Sequence, residues 1–220
     1  LFGVPEYAVV PPAELLDAQR TKARKDLEEF LDGETDAIPT HRVLTEGPPA
    51  REIVHFADQN GMDLIMLPTH GLGTFRRYIV GSTTAKVLHD AHCAVWTGAH
   101  LEPNEYPEPA TPRTILCAVD LGPQSEDLVR KVAAFSSVLQ AKVYLVHAVP
   151  SIEVRPASYF DVDFTAELSR QAHERIAEIQ RDAGTNFAVC VHGGEPHQVL
   201  EKATREHNAD LITIARGHVK

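Results

Sequence analysis

The apolar positions of this chain follow two alternating spacings. In some segments apolar residues recur every three or four positions, which indicates amphipathic helices, and between them run shorter continuous apolar segments typical of strands buried on both faces. The predicted helices cover residues 13–31, 51–60, 82–90, 125–139, 164–183 and 198–207. The predicted strands cover residues 41–45, 64–67, 94–97, 114–119, 142–149, 187–191 and 211–215. Because strand and helix alternate throughout, we expect parallel sheets covered by helices.

Part of this pattern occurs twice. Gly47 leads through an apolar helix pattern to Asp63 and a four-residue apolar run, and Gly194 leads in the same way to Asp210 and a second such run. Each pair of corresponding positions is separated by the same 147 residues. A constant offset preserves the spacing from turn to helix to strand, so the chain is predicted to be a tandem repeat of one domain.

The offset also predicts where each copy is incomplete. It maps Leu1 onto Ala148 and Gly71 onto His218, so the first copy lacks a counterpart of residues 113–147 and the second lacks a counterpart of residues 72–98. Together the copies give one unit, β-α-β-α-β-α-β-α-β, and we expect the natural protein to be longer at both ends. The predicted organisation is a first domain at residues 1–98, a proline-rich, semi-extended linker at 99–112 and a second domain at 113–220.

Composition limits the classes of binding partner and the cellular compartment that we expect for this protein. The formal net charge of −10 disfavours nucleic acid, because phosphate binding depends on clustered Lys and Arg. No apolar run approaches the roughly 20 residues that span a bilayer, and we see no signal-peptide pattern, so no membrane association is expected. Cys93, Cys117 and Cys190 lie in or beside apolar strand-like runs, which predicts reduced thiols and a cytoplasmic location.

One candidate for ligand chemistry is the loop after Leu67. It contains Gly71 and, after nine intervening residues, Gly81 followed by Ser82 and Thr83 at a predicted helix start. Glycine lets the backbone approach a phosphate, and a helix N-terminus offers unpaired N–H groups with a favourable dipole. The alternative is an ordinary turn followed by a helix that Ser82 caps.

A second candidate is the end of the strand at 114–119, where Asp120 is followed by Gly122. In an open α/β sheet, ligands bind outside the carboxyl ends of the strands. A carboxylate at that place can accept a hydrogen bond from an adenine amino group or a ribose hydroxyl. The alternative is that Asp120 only forms the turn and caps the next helix.

Metal binding is not expected from the remaining histidines and cysteines. His89, His92 and Cys93 form one cluster at a helix end, whereas zinc usually takes four ligands from two separated pairs. Cys190 and His192 alternate along a predicted strand and can share a face, but the end of a core strand is the simpler interpretation.

The candidate segments resemble the universal stress protein family. Asp63-Leu64-Ile65-Met66-Leu67-Pro68-Thr69-His70-Gly71, then Gly81-Ser82-Thr83-Thr84-Ala85-Lys86-Val87-Leu88 and Ala91-His92-Cys93-Ala94-Val95, is similar to the C-terminal half of that family's domain. The family's phosphate-binding pattern is a Gly, two residues, a Gly, nine residues, then Gly-Ser or Gly-Thr. Ile115-Leu116-Cys117-Ala118-Val119-Asp120 is similar to its first strand, whose terminal Asp contacts nucleotide.

The resemblance implies a fold and a ligand. The implied fold is a pair of Rossmann-like open parallel five-stranded sheets flanked by helices, of the adenine-nucleotide α-hydrolase type with strand order 3-2-1-4-5, each truncated in this chain. The implied ligand is ATP or a related adenine nucleotide, with Mg²⁺ as a candidate companion. The residues predicted to bind it are Gly71, Gly81, Ser82, Thr83, Asp120 and Val149. Two positions depart from the pattern, since Pro68 replaces the first motif glycine and His218 replaces the second in the second copy.

The function implied by the resemblance is a regulatory stress-response module that binds an adenine nucleotide and has no turnover chemistry of its own. Family members pair two domains through their last strands, so either a homodimer or pairing of the two domains within the chain is expected. One alternative is a divergent interaction module that binds no nucleotide. The other alternative is a slow ATP hydrolase. The pyrophosphatase branch of the fold is disfavoured, because its Ser-Gly-Gly-type loop is replaced here by Asp120-Leu121-Gly122-Pro123-Gln124-Ser125.

Overall fold

The computed structural model describes residues 13–30, 33, 37–68, 81–98, 111–150 and 161–215. The chain divides into two compact units, Leu1–Tyr106 (unit 1) and Pro107–Lys220 (unit 2). The elements of unit 1 are α1 (Ala13–Glu29), α2 (Pro49–Gln59), β1 (Leu64–Pro68), α3 (Ser82–Asp90) and β2 (Ala94–Gly98). Those of unit 2 are β3 (Thr114–Ala118), α4 (Ser125–Leu139), β4 (Lys142–Val149), α5 (Asp161–Ala183), β5 (Ala188–Gly193), α6 (Pro196–His207) and β6 (Leu211–Ile214).

The sheet of unit 2 is parallel, with the strand order β5-β4-β3-β6. Its central strand β3 pairs with β4 on one side, where Leu116 lies opposite Tyr144, and with β6 on the other, where Leu116 lies opposite Ile212. Numbered within the unit, this order is 3-2-1-4, which confirms the first four strands of the predicted arrangement. The strand order reverses between β3 and β6, and ligands of such sheets bind at that switch.

Helices cover both faces of the unit 2 sheet, which explains why its strands read as continuous apolar runs. On the face under α4 and α5, the buried side chains include Ile115, Cys117, Leu145, Val129 and Ile176. On the face under α6, they are Leu116, Val146, Val199 and Ala203. A wholly buried side chain such as Leu145 contributes about 1.5–3 kcal/mol to folding, so these two layers stabilise the strands that form the switch.

Unit 1 has a smaller sheet, in which β1 and β2 run parallel with Ile65 opposite Val95. α2 and α3 pack against one face of this pair, and Ile65, Val87 and Ala91 are buried between them. Strands 4 and 5 of the predicted order are neighbours, as β1 and β2 are here. Within the described residues, no helix of either unit is both long and apolar enough to cross a bilayer.

The predicted strand at residues 41–45 is wrong, because the segment pairs with no other strand in the described part of unit 1. Its counterpart in the repeat, β5, does pair with a neighbouring strand, β4. The segment is attached to α1 instead. Arg42 donates hydrogen bonds of 3.0 and 3.1 Å to the carbonyls of Leu27 and Phe30 at the end of that helix.

The backbone repeats the offset seen in the sequence. Gly47 and Gly194 precede α2 and α6, and both have positive φ, 144° and 137°. Gly61 and Asn208 follow the same two helices, with φ of 59° and 48°. Residues with side chains rarely adopt such conformations, so their recurrence at one spacing shows that the two turns share a geometry as well as a sequence pattern.

Candidate functional site

A cleft of about 310 Å³ opens at the carboxyl edge of the unit 2 sheet. It lies at the ends of β3, β4 and β6 and beside the first turns of α6. Its lining residues are Ala118, Val119, Asp120, Val146, His147, Ala148, Pro196, Val199, Leu200, Ile214 and Ala215. The position is the switch between β3 and β6, and the volume lies at the lower end of the range for small-molecule sites.

Among the described residues that line the cleft, Asp120 is the one with a carboxylate. Its Oδ1 accepts a hydrogen bond of 2.9 Å from the N–H of Gly122 and one of 3.0 Å from the hydroxyl of Ser125. The Gly122 N–H is the main reason that the pKa of Asp120 lies below its ordinary value, with smaller contributions in the same direction from Ser125 and His147. Asp120 is therefore ionised at neutral pH, and Oδ2 receives no hydrogen bond from any other described residue.

The turn after Asp120 is built around the carboxylate. Leu121 has φ of 63°, a conformation that costs an L-residue about 1–2 kcal/mol, and its side chain packs against the core beneath α4 and α5. A Cβ atom on Gly122 would lie 3.1 Å from Oδ1 and 3.3 Å from Oδ2 of Asp120. Glycine at position 122 therefore leaves room for the carboxylate in its observed place. Asp120 does form the turn, as the alternative interpretation expected, but it also faces the cleft.

His147 lines the cleft beside Asp120, and the sequence reasoning missed it. Its Nδ1 lies 2.7 Å from the carbonyl oxygen of Val119. Because a carbonyl oxygen can only accept, Nδ1 is the donor, and the neutral ring carries its proton there. The position of His147 two residues before the end of an apolar strand was the available signal, since strand ends meet at the ligand-binding edge.

Val149, the other residue predicted in unit 2, is buried at the end of β4, with 2% of its surface exposed. Its carbonyl oxygen accepts a hydrogen bond of 3.0 Å from the N–H of Gly194. It is separate from the residues that line the cleft. The structure thus brings Asp120 to the cleft and places Val149 in the core beside it.

In unit 1 the predicted phosphate-binding residues lie at the start of α3, except for Gly71, which lies outside the described residues. Gly81 is the N-cap of α3, and Ser82 and Thr83 are the first two helical residues, so Ser82 is not the cap that the sequence suggested. The first hydrogen bond of the helix joins the N–H of Ala85 to the carbonyl of Gly81, and the N–H groups before it have no partner within the helix.

The helix start in unit 1 is tied to the end of β1. The hydroxyl of Thr84 donates a hydrogen bond of 2.9 Å to the carbonyl of Pro68, the residue that replaces the first motif glycine. A separate depression of about 340 Å³ near the end of β1 and β2 is lined by Met66, Leu67, Pro68, Trp96 and Gly98. The described residues that line it carry no ionisable side chain.

Within the described residues, no group of three or more His, Cys, Asp or Glu side chains is placed to hold a metal ion. The histidines singled out in unit 1 have carboxylate neighbours, His89 with Asp90 at 2.7 Å and His92 with Asp58 at 3.1 Å. Cys190 contacts the imidazole of His207 at 3.3 Å. Its hydrogen-bond contact is therefore with His207 of α6, and not with His192 on its own strand.

Comparison with known proteins agrees with the fold and the repeat. The model of the universal stress protein family matches residues 3–97 and again residues 111–218. A universal stress protein of Methanocaldococcus jannaschii is 35% identical over 83 residues, 38% of this chain and 48% of the relative. Universal stress protein A of Escherichia coli K12 is 32% identical over 108 residues, 47% of this chain and 74% of the relative. The chain thus matches about half the length of the archaeal relative.

A solved structure of a universal stress protein from Archaeoglobus fulgidus superposes with a TM-score of 0.65 at 19% sequence identity. The superposition covers 98% of this chain and 73% of the other. At this identity the likeness establishes the fold, while the two family-model matches establish the membership. The chain therefore belongs to the universal stress protein family and carries the family's domain sequence twice in tandem.

Proposed function

We propose that this chain is a cytoplasmic regulatory module that binds an adenine nucleotide, with the nucleoside in the cleft of unit 2 and Asp120 as its polar anchor. The observation that carries the proposal is the placement of an ionised carboxylate in a cleft at the switch between β3 and β6. Both hydrogen bonds from Gly122 and Ser125 fall on Oδ1, which leaves Oδ2 to accept from a ligand.

The walls of the cleft suit a flat base. Val146, Val199, Leu200 and Ile214 present aliphatic side chains, and Pro196 adds an apolar ring at the start of α6. Small-molecule sites are lined mostly by apolar groups, with few polar groups that fix orientation. Asp120 then supplies orientation by accepting from a ligand amino or hydroxyl group, while burial of the base supplies most of the binding free energy.

The proposal includes a separate phosphate-binding site within unit 1. The N–H groups of Ser82 and Thr83 stand at a helix start beside Gly81, a place that favours anions through both hydrogen bonding and the helix dipole. Gly71 completes the predicted pattern. If ATP is the ligand, Mg²⁺ would be held mainly by the phosphate oxygens, as is usual for this ion.

A second candidate function is an interaction module without nucleotide. It is favoured by Pro68, which lacks an N–H and whose carbonyl is already bonded to Thr84, so that one donor of the family's phosphate loop is missing. Under either function, we propose that β2 pairs with another domain, in a homodimer or within a tandem chain. Size-exclusion chromatography with light scattering on the purified chain measures that assembly directly.

The test of nucleotide binding uses the full chain. Protein is purified, denatured and examined by mass spectrometry for released nucleotide, and adenosine, AMP and ATP are titrated by calorimetry. We expect Asp120→Ala to weaken adenosine binding roughly 10- to 100-fold, because hydrogen bonds to charged groups contribute about 1.5–3 kcal/mol. The matched control is Asp182→Ala, in the last turn of α5 at the opposite edge of the sheet.

Each part of the proposal has its own outcome. Gly81→Val adds a branched side chain at the start of α3, so it should weaken phosphate-dependent binding by unit 1 and leave adenosine binding in the unit 2 cleft unaffected. Equal affinity of wild type and Asp120→Ala for adenosine would remove the anchor from Asp120. Absence of binding by the wild-type chain would favour the interaction module, and steady phosphate release from ATP would favour the hydrolase.

A further inference from the structure

We infer that His147 is a ligand-contacting residue of the unit 2 cleft, where its Nε2 and the carboxylate of Asp120 together bind the cis-diol of a ribose. The inference rests on the proposed function, because it assigns a second polar contact and a proton-linked control to the same site. It goes beyond that function in predicting that acidification weakens nucleoside binding through one named imidazole.

The hydrogen bond to Val119 determines which nitrogen is available. Nδ1 donates to the Val119 carbonyl at 2.7 Å and keeps its proton in both charge states of the ring. In the neutral ring, Nε2 is therefore an acceptor, and no described residue donates a hydrogen bond to it. The same bond holds the orientation of the ring, and His147 lines the cleft.

Asp120 and His147 thus form a pair of acceptors when the imidazole is neutral. Asp120 interacts electrostatically with the ring and contributes Oδ2, which receives no hydrogen bond from another described residue. Two neighbouring acceptors match a ligand that presents two neighbouring donors. A ribose cis-diol has this arrangement, whereas a dideoxyribose offers neither hydroxyl.

Protonation of His147 removes one member of the pair. An imidazolium has donors on both nitrogens, so Nε2 stops accepting from a ribose hydroxyl. Asp120 remains ionised over the same pH range, because the N–H of Gly122 holds its pKa below the ordinary value. A change in affinity between neutral and mildly acidic pH therefore does not come from the Asp120 carboxylate.

Other ionisable groups near the carboxyl edge belong to the elements packed against β4. Asp120 follows β3, Glu126 and Asp127 lie in the first turn of α4, and Glu167 lies in an early turn of α5. His192 belongs to β5, and Glu195 and His197 begin α6. In the described part of unit 2, His192 and His197 are further imidazoles at this edge, so the pH dependence must be assigned by substitution of His147 itself.

The decisive variant is His147→Asn. The asparagine amide places an N–H near the position of Nδ1, so it can retain the hydrogen bond to Val119, but it has no group at the position of Nε2. A purely structural His147 would therefore be replaced without loss. The matched control is His173→Asn on α5, because His173 also donates from Nδ1 to a backbone carbonyl, that of Ser169 at 2.7 Å, on an exposed helix surface.

Calorimetric titration of adenosine and 2′,3′-dideoxyadenosine into the full chain at pH 7.5 and pH 5.5 tests the inference. Wild type should bind adenosine about three- to tenfold more weakly at the lower pH, as expected for one hydrogen bond. His147→Asn should show the weaker affinity at both pH values, and His173→Asn should match wild type. The preference of wild type for adenosine over the dideoxynucleoside should shrink in His147→Asn.

Imidazole ¹⁵N chemical shifts give a second readout that does not depend on a variant. Adenosine at pH 7.5 should shift the Nε2 signal of His147 and leave Nδ1 protonated. An unchanged Nε2 signal in saturated protein, or the same affinities and pH dependence in His147→Asn as in wild type, overturns the inference while the proposed function stands. No adenosine binding by wild type overturns both.

Discussion

Asp210 joins the first and last strands of unit 2, and its removal should destabilise that unit. Its Oδ2 accepts hydrogen bonds from the N–H groups of Arg113 at 2.8 Å and Thr114 at 2.9 Å, at the start of β3. Its own N–H donates to the Thr114 carbonyl at 3.0 Å, a main-chain bond that substitution leaves in place. Asp210→Ala therefore removes two hydrogen bonds to a charged acceptor.

The size of the effect follows from these contacts. A hydrogen bond to a charged group contributes about 1.5–3 kcal/mol, but Asp210 is exposed, so solvent screening lowers the total for the two bonds to about 2 kcal/mol. For a unit of this size that loss corresponds to a decrease of roughly 8–16 °C in the melting temperature. Asp210→Asn keeps a neutral acceptor and should lose about half as much.

The repeat supplies a matched control. Asp63 is the counterpart of Asp210 in unit 1, but its carboxylate forms no hydrogen bond with any described residue. Asp63→Ala should therefore change the free energy of unfolding by less than about 0.5 kcal/mol. The two variants exchange the same residue types at equivalent positions of the repeat, so they differ in the lost hydrogen bonds and not in helix or strand propensity.

Each unit carries its own probe for the assay. Trp96, the only tryptophan, lies in β2 and reports urea unfolding of unit 1. Cys117 is wholly buried in β3 and reports opening of unit 2 through its rate of thiol labelling, with Cys93 and Cys190 replaced by alanine in every variant. Equal losses for Asp63→Ala and Asp210→Ala, or a loss below 0.5 kcal/mol for Asp210→Ala, would refute the reasoning.

Three further outcomes are expected from unit 2. Gly122→Ala should weaken nucleoside binding more than it lowers the melting temperature, because the new Cβ lies 3.1 Å from Asp120 Oδ1; calorimetry and thermal denaturation of the same sample separate the two effects. Native Cys117 should resist thiol reagents that label Cys190, since burial raises the pKa of Cys117 to about 11; comparable labelling rates would contradict its placement. The pKa of Asp120 is lower folded than unfolded, so its ionisation stabilises unit 2 above the ordinary value of 3.8 and this contribution disappears as the pH falls through the folded pKa. The stability difference between wild type and Asp120→Asn should accordingly be larger in urea titrations at pH 7 than at pH 3.

The sequence was sufficient for those parts of the fold that depend on local pattern and on the repeat. Apolar spacing located all the helices of the described residues to within a few positions, and the resemblance supplied the order in which β5, β4, β3 and β6 pair. The strand predicted at 41–45 failed because a strand exists only through its neighbour. Its apolar pattern is unchanged whether or not a pairing segment stands beside it.

The site was less predictable, because its geometry depends on contacts between distant parts of the chain. Asp120 was recognisable from its place after a strand. The role of His147 depends on the Val119 carbonyl, 28 residues away in sequence, which no local pattern records. Ser82 was expected to cap α3. The helix instead begins at Ser82 itself, so Gly81 occupies the N-cap position. Either residue type is acceptable there, and composition alone does not choose between them.

The pairing of β3 with β6 affects how unit 2 folds during its synthesis on the ribosome. Ile115 lies opposite Leu211, 96 residues later in the chain. At the usual rate of synthesis, about 5–20 residues per second, one edge of β3 waits roughly 5–20 s for its partner to leave the ribosome. During that interval β3, which is buried in the folded unit, has an unpaired edge that can associate with other nascent chains. The yield of soluble protein should therefore depend on the rate of translation between β3 and β6, and slower codons in that stretch should lower it.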